Sequence, residues 1–304
     1  MQIDTVAKMD LSKEKKQNES SFSDQMKAYI KHPGSGILAL LTLLGAVLTF
    51  ALLFFLIGYI LVKGVPYLST DLFSLTYNSD NLSLLPSLIN TFILTVVSLV
   101  IAAPLGIFAA IYLVEYAKKG SKLVKVIRIT AETLSGIPSI VYGLFGFLLF
   151  AVALGWSYTI LGGAMTLAIM ILPTIIGVTE SAVRSVPESY YEGSLALGAT
   201  KERSIFYVML PAAKSGILAG VVLGIGRAIG ETMAVIMVAG NQPRMPKGLL
   251  QGVRTMTANI VTEMGYASGL HREALIATGV VLFVFILIIN LSLSLLNRRA
   301  EYAN

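Results

Sequence analysis

Arg227 and Glu231 stand four residues apart in the stretch GIGRAIGETMAVIMVAGN (224–241), which is otherwise apolar and of membrane-spanning length. A charge at the centre of a bilayer costs roughly 2.5–3.5 kcal/mol on insertion scales, so such side chains face a partner or a watery path. At a spacing of four on a helix, the two fall on one face and can neutralise each other. Two roles fit: an ion pair that pins helices together, or the lining of a buried polar pathway. At helical periodicity Gly220, Gly224, Arg227, Glu231 and Ala234 share one narrow stripe. Ala219, Gly226 and Gly230 lie on another, and Gly226-x-x-x-Gly230 predicts close approach of a neighbouring helix.

The elements that must position this pair are membrane helices. The chain is 55% hydrophobic and 13% charged, with mean hydropathy +0.77, far more apolar than an average soluble domain. Six segments reach the ~20 residues that a helical crossing needs, near 37–62, 88–114, 135–154, 160–178, 216–239 and 274–296. The expected division is a polar tail over 1–36, a first membrane helix over 37–62, a loop over 63–85, a five-helix core over 86–297 and a short C-terminus over 298–304. The tail lacks the aromatic and branched residues that drive folding and is expected to be disordered. The run Ile37–Val62 is too long for a signal-peptide core and has no small-residue cleavage site, so it is expected to remain as a helix.

The net charge of +6 sits mainly in loops, where it signals topology and not a nucleic-acid footprint. Lys8, Lys13, Lys15, Lys16, Lys27 and Lys31 precede the first span, and Lys118, Lys119, Lys122, Lys125 and Arg128 follow the second. Arg184, Lys201, Arg203 and Lys214 follow the fourth, and Arg298 and Arg299 follow the sixth. The positive-inside rule puts these, and hence both termini, on the cytoplasmic side of a cell membrane. The loop with Arg244, Lys247, Arg254 and Arg272 is the exception, outvoted by four consistent segments.

The segment 179–215 reads as an ordered loop. Ser185-Val-Pro-Glu188 fits a capping box, and Gly198 can end the resulting helix in a left-handed turn. A second short helix is expected from Thr200 to Leu210, stopping before Pro211. Such a pair either lies passively on the membrane or docks a cytoplasmic protein. Glu132 and Arg128 read as interfacial anchors, Pro138 as a break between Ser135 and Ser139, and Trp156 with Tyr158 as an aromatic belt.

Glu192-Gly-Ser-Leu-Ala-Leu-Gly198-Ala199, with Leu210-Pro211 downstream, resembles the cytoplasmic loop motif of ABC importer permeases, with Gly193 and Ser194 in place of two alanines. Asn90-Thr91, Pro104-Leu-Gly106 and Ser135-Gly-Ile-Pro-Ser139 are similar to that family too. SGIPSIVYGLFG (135–146) and GRAIGET (226–232) resemble the permeases of phosphate-specific ABC importers. The segment 66–120 looks like the subunit lettered A, and GETMAVIMVAGN like the one lettered C. The resemblance implies an all-α polytopic fold with six transmembrane helices, of the type I importer class. It further implies that Glu192, Ser194, Gly198, Ala199, Leu210 and Pro211 couple to an ATPase. The implied partners are a related second permease, two ATP-binding subunits and an external phosphate-binding protein. In that setting the fork of Arg227 would meet phosphate, and Glu231 would temper its grip.

Chemistry of other kinds is poorly supported. There is no cysteine, and the two histidines, His32 and His271, are far apart, so no thiolate or histidine metal cluster is expected. No G-x-x-x-x-G-K-[ST] run is present, so ATP and Mg²⁺ are expected on a partner subunit. The alternatives are the same architecture carrying sulfate or molybdate, or an intramembrane enzyme built on Glu231 and His271. The charge pattern makes a direct prediction: reporter tags at Met1 and Asn304 will both register as cytoplasmic and one near Asp80 as external. Cleavage of an Asn304 tag by protease added to intact cells would sink the six-span reading.

Overall fold

The computed structural model describes residues 33–78, 81–118 and 120–302, and among these there is no β-strand. Residues 1–32 of the polar tail, with all its lysines, lie outside the described residues, and 33–36 already belong to a helix. The chain divides into two units, 1–59 and 60–304. The first contributes most of α1 (Pro33–Gly64). Within it Thr42 and Thr49 donate their hydroxyls to the carbonyls of Leu38 (2.9 Å) and Gly45 (2.8 Å), so neither presents an unpaired donor to an apolar medium.

The second unit is a helical bundle. In chain order it holds α2 (Leu85–Ile111), α3 (Lys122–Gly136), α4 (Ser139–Gly146), α5 (Ile160–Arg184) and α6 (Glu188–Ala196). Then follow α7 (Lys201–Ser204), α8 (Leu210–Gly230), α9 (Met233–Ala239), α10 (Met256–Glu263) and α11 (Gly269–Tyr302). Wide π turns close α2 over Tyr112–Tyr116, extend α4 over Phe147–Ala153 and join α7 to α8 over Ile205–Met209. The expected 63–85 loop is not bare: it forms 3-10 turns at Val65–Tyr67 and Thr70–Phe73 and packs Leu72 and Leu84 on Ala274 and Ala277 of α11.

The hub is α5. Its Ile160, Ala164 and Leu167 join Leu94 of α2 and Val235 and Ala239 of α9 in one core cluster. Ala168, Ile171 and Ile175 join Ala102 of α2 and Ala228 of α8 in another. Small residues admit this proximity. A Cβ added at Gly106 would come within 2.7 Å of Ile175 Cγ2, at Gly216 within 2.5 Å of Ala182 Cβ, and at Gly220 and Gly224 within 3.2 Å of Val178 and Ile175. The packing glycines of α8 are therefore Gly216, Gly220 and Gly224. Gly226 and Gly230 meet nothing within 4 Å among the described residues of this chain. The stripe assigned to the pathway is in part the packed one.

The break expected at Pro138 is present: α3 and the α4 helix are bent by 103° across Ile137-Pro138. Three local expectations are corrected. The fifth span is broken after Gly230. Ser185 makes no capping box; its hydroxyl donates to Ala182 O at 2.7 Å, and α6 starts after Pro187 with no side-chain cap. The helix begun at Lys201 does not stop before Pro211 but runs on to Gly230, because a wide π turn just upstream relieves the clash of the proline ring with the preceding turn. Among the described residues, five helices are long and apolar enough to cross a membrane, or six if the bent pair is one span.

Because α8 meets α5 through glycines, Gly216→Leu should lower the unfolding temperature and monodisperse yield in detergent, by the ~1–3 kcal/mol of an overfilled core. Gly226→Ala should leave both unchanged or higher, since alanine favours a helix over glycine by about 0.5–1 kcal/mol. Equal losses from the two variants would contradict this packing.

Candidate functional site

The polar centre is built around the break in the fifth span. The α8 helix ends at Gly230, and Glu231 takes an extended backbone with φ −69° and ψ 133°. Its Oε1 accepts the N–H of Ala234 at 3.2 Å, in the first turn of α9. Its carbonyl accepts the hydroxyl of Thr257 at 3.0 Å, and Thr232 Oγ1 donates to Gly230 O at 3.2 Å. With 9% of its surface exposed, Glu231 is a buried capping acceptor for a helix whose first N–H groups have no partner in the helix.

Arg227 goes elsewhere. Its Nη1 donates to Thr174 Oγ1 at 3.2 Å, on α5. Among the described residues no ion pair includes Arg227 or Glu231. The expectation that the two neutralise each other on one helix face is thus corrected: i,i+4 contact requires an unbroken helix, and the chain leaves the helical path at Glu231. Arg227 is half-buried, and among the described residues its planar fork has only the neutral Thr174 hydroxyl as a polar side-chain partner. Thr174 directly follows Pro173, a proline inside α5.

Thr174 also lines a cleft of about 640 Å³ between α3 and α5, with Arg128, Glu132, Ser135, Glu180 and Arg184. Glu180 Oε1 pairs with Arg128 Nη2 at 2.7 Å and with Arg184 Nε at 3.1 Å. Arg128 is therefore tied to α5 and Glu132 faces a cleft, which goes beyond the interfacial anchoring expected of both. Thr174 and Glu180 join the site without being among the expected residues. Glu180 sits four residues before Arg184, a spacing that signals the pair; nothing in the sequence marks Thr174. At the bend beside the cleft, Pro138 has no N–H to offer the carbonyl of Leu134. The Ile137 amide at 3.2 Å and the Tyr142 hydroxyl at 2.7 Å fill that role.

The segment that breaks the loop-charge pattern is folded onto the start of α2. Asn90 Nδ2 donates to the carbonyls of Arg244 (3.0 Å) and Arg254 (3.1 Å), and Thr91 Oγ1 accepts the Met256 amide at 3.0 Å. The charge of Arg254 is used internally: it meets Glu263 at 2.9 Å and Asn259 Oδ1 at 2.8 Å. Arg244 Nε donates to Gly252 O at 3.0 Å. Arginines held this way are poor topology signals. His271 stands 3.9 Å from Glu263 and not with Glu231, so the two residues of the enzyme alternative are not brought together. Tyr158 packs where side chains at Gly240 and Gly252 would collide with it, a structural contact beyond a membrane belt.

The 185–211 loop presents its own surface. Gly198 has φ +85°, the left-handed conformation expected of it, and its amide and that of Ala199 return to Leu195 O (2.9 Å) and Ser194 O (3.1 Å). The Ser194 hydroxyl donates to Ser204 Oγ at 2.5 Å, joining α6 to α7. Glu192 is exposed, as are Leu197 at 91% and Tyr207 at 77%. Leu210 and Pro211 lie within the continuous α7–α8 helix. Lys201 Nζ donates to Glu115 O at 2.7 Å and lies 4.9 Å from the Tyr116 ring centre, a contact across 86 positions that local sequence could not reveal.

The family described as binding-protein-dependent transport system inner membrane component matches residues 102–302. The chain is similar to the probable ABC transporter permease protein YqgH of Bacillus subtilis, 37% identical over 240 residues, covering 75% of this chain and 77% of that one. It is also similar to the phosphate transport system permease protein PstC of Mesorhizobium japonicum, 35% identical over 237 residues, covering 69% and 72%. In fold it is similar to the crystal structure of a bacterial ABC transporter involved in import of the acidic polysaccharide alginate. That likeness has TM-score 0.63 at 18% identity, over 90% of this chain and 99% of that one.

Since Glu231 caps α9 and does not pair with Arg227, Glu231→Ala should cost about 1 kcal/mol of stability, the usual worth of a cap. Glu231→Gln, which keeps an acceptor oxygen, should cost less. Combined with Arg227→Gln, the effects on thermal unfolding should add to within about 0.5 kcal/mol. Strong mutual rescue in the double variant would restore the ion pair.

Proposed function

Because the chain belongs to the family of binding-protein-dependent transport system inner membrane components, we propose that it carries inorganic phosphate across the membrane. It is an ABC importer permease, a multi-pass membrane subunit and not an enzyme; ATP hydrolysis resides in a separate subunit. The proposed complex pairs it with a related permease, two ATP-binding subunits that hold ATP and Mg²⁺, and an external phosphate-binding protein. Both termini are then cytoplasmic, and the 185–211 loop faces the ATPase. The exposed Leu197 and Tyr207 support that docking, since apolar side chains of this size gain by burial in a partner groove.

One observation carries the substrate class. Among the described residues, Arg227, beside a helix break in a membrane-length segment, holds only the Thr174 hydroxyl and no carboxylate. A guanidinium in that state keeps most of its donor fork for an oxyanion, and exchanging a neutral hydroxyl for phosphate gains a charge-assisted bidentate contact. The grip stays moderate because Thr174 offers the arginine a return partner. Similarity to PstC supports phosphate over other oxyanions.

Uptake of labelled phosphate by the assembled complex in proteoliposomes tests this reading. Arg227→Gln should reduce uptake about tenfold or more at equal amounts of complex, as the loss of a ~1.5–3 kcal/mol charged hydrogen bond implies. Arg227→Lys should also be impaired, because it keeps the charge but not the planar fork. Near-normal uptake by Arg227→Gln would return the residue to a structural role. Competition by sulfate or molybdate, in place of phosphate transport, would reassign the substrate.

A further inference from the structure

Lys201 opens α7 directly after the turn at Gly198 and reaches across to the end of α2. Its ammonium donates to the Glu115 carbonyl at 2.7 Å and sits over the Tyr116 ring at 4.9 Å. The site suits a cation. Here α2 ends in the π turn Tyr112–Tyr116, and the last carbonyls of a helix lack intrahelical partners and carry the negative end of its dipole. The ring face adds attraction and shields one side from water. The same loop is stitched internally by Ser194 to Ser204, so α6 and Lys201 move as one piece.

The opposite end of α2 is pinned as well. Asn90 holds the carbonyls of Arg244 and Arg254, and Thr91 holds the Met256 amide. Between these ends α2 has 27 helical residues, about 40 Å at ~1.5 Å each, packed on α5 and α8 through Leu94 and Ala102. Pro104 lies inside α2 and removes one bond of its ladder; packing on both sides of it, at Leu94, Ala102 and Ala110, is what joins the two fastened ends.

We infer that Lys201 is a positioning residue that makes α2 follow the ATPase-docking loop and carries its movement to the 244–256 segment. This rests on the proposed docking of the 185–211 loop to an ATPase. The 244–256 segment is then on the external side, where substrate is delivered. Lys201 touches no substrate; it sets the coupling of hydrolysis to transport.

The test measures phosphate uptake and ATP hydrolysis together in proteoliposomes holding the full complex and the external binding protein. Lys201→Met should lose the stimulation of hydrolysis by the phosphate-loaded binding protein and lower phosphate moved per ATP at least fivefold. Lys201→Arg, which keeps donor, charge and ring contact, should restore the ratio. An unchanged ratio in Lys201→Met overturns the inference while leaving the phosphate reading intact. Absence of ATP-dependent phosphate uptake in the unaltered complex overturns both. If Lys201→Met fails to assemble, Tyr116→Leu replaces it, and a lowered ratio there supports the inference. Failure of both to assemble makes the contact one of folding only and overturns it.

Discussion

Within a membrane every backbone N–H and C=O must be paired by the protein itself, and the hydrogen bond from Ala234 N–H to Glu231 Oε1 is where this chain meets that demand most sharply. The bond pairs the Ala234 amide where the fifth span stops at Gly230 and restarts at Met233. Thr257 closes the other side by donating to the Glu231 carbonyl, which links the break to α10. Because the carboxylate is committed there, Arg227 is left to Thr174. An arginine without a counter-carboxylate in a membrane protein follows from a cap three residues beyond the carboxylate.

The break needs a rigid support, and α5 provides it. Glycines on α2 and α8 bring both backbones onto its Ile175, Val178 and Ala182 side chains. Gly143 and Gly146 of α4 approach Ala234 and Val238 of α9 in the same way. Close approach of this kind trades side-chain volume for dispersion contact, the main attraction available between helices in lipid. The second break, at Pro138, uses the same logic as the first: a carbonyl freed by proline is recovered by the Tyr142 hydroxyl. Beside this second break lies the cleft where Glu180 is shared by Arg128 and Arg184.

Transport needs motion as well as support, and among the described residues the polar contacts most distant in sequence fall at the two ends of α2. The π turn at one end offers carbonyls to Lys201; buried Asn90 and Thr91 at the other hold the 244–256 segment. These contacts are few and directional, whereas the apolar packing between them is broad. Such an arrangement fixes where a rod is fastened without dictating how it slides against its neighbours.

The all-helical membrane class was legible because bilayer thickness imposes a length and an apolarity that composition and windows of ~20 residues reveal directly. The left-handed turn at Gly198 was legible too, since glycine there pays no steric penalty. The motif at Glu192–Pro211 and the family it indicates were readable as local strings. Other features depended on tertiary structure. Spacing of four placed Arg227 and Glu231 together only on the premise of a continuous helix, and the Ala234 amide ended that premise. The two glycine stripes of α8 look alike as periodicities, and only the position of α5 decided that Gly216, Gly220 and Gly224 are the packed ones. Arg254 and Lys201 read as loop charges, yet partners distant in sequence bind one to Glu263 and the other to the end of α2. The sequence alone determined what can lie in a membrane, because that is a property of each segment; which polar groups satisfy one another is a property of pairs, and only the folded chain decides it.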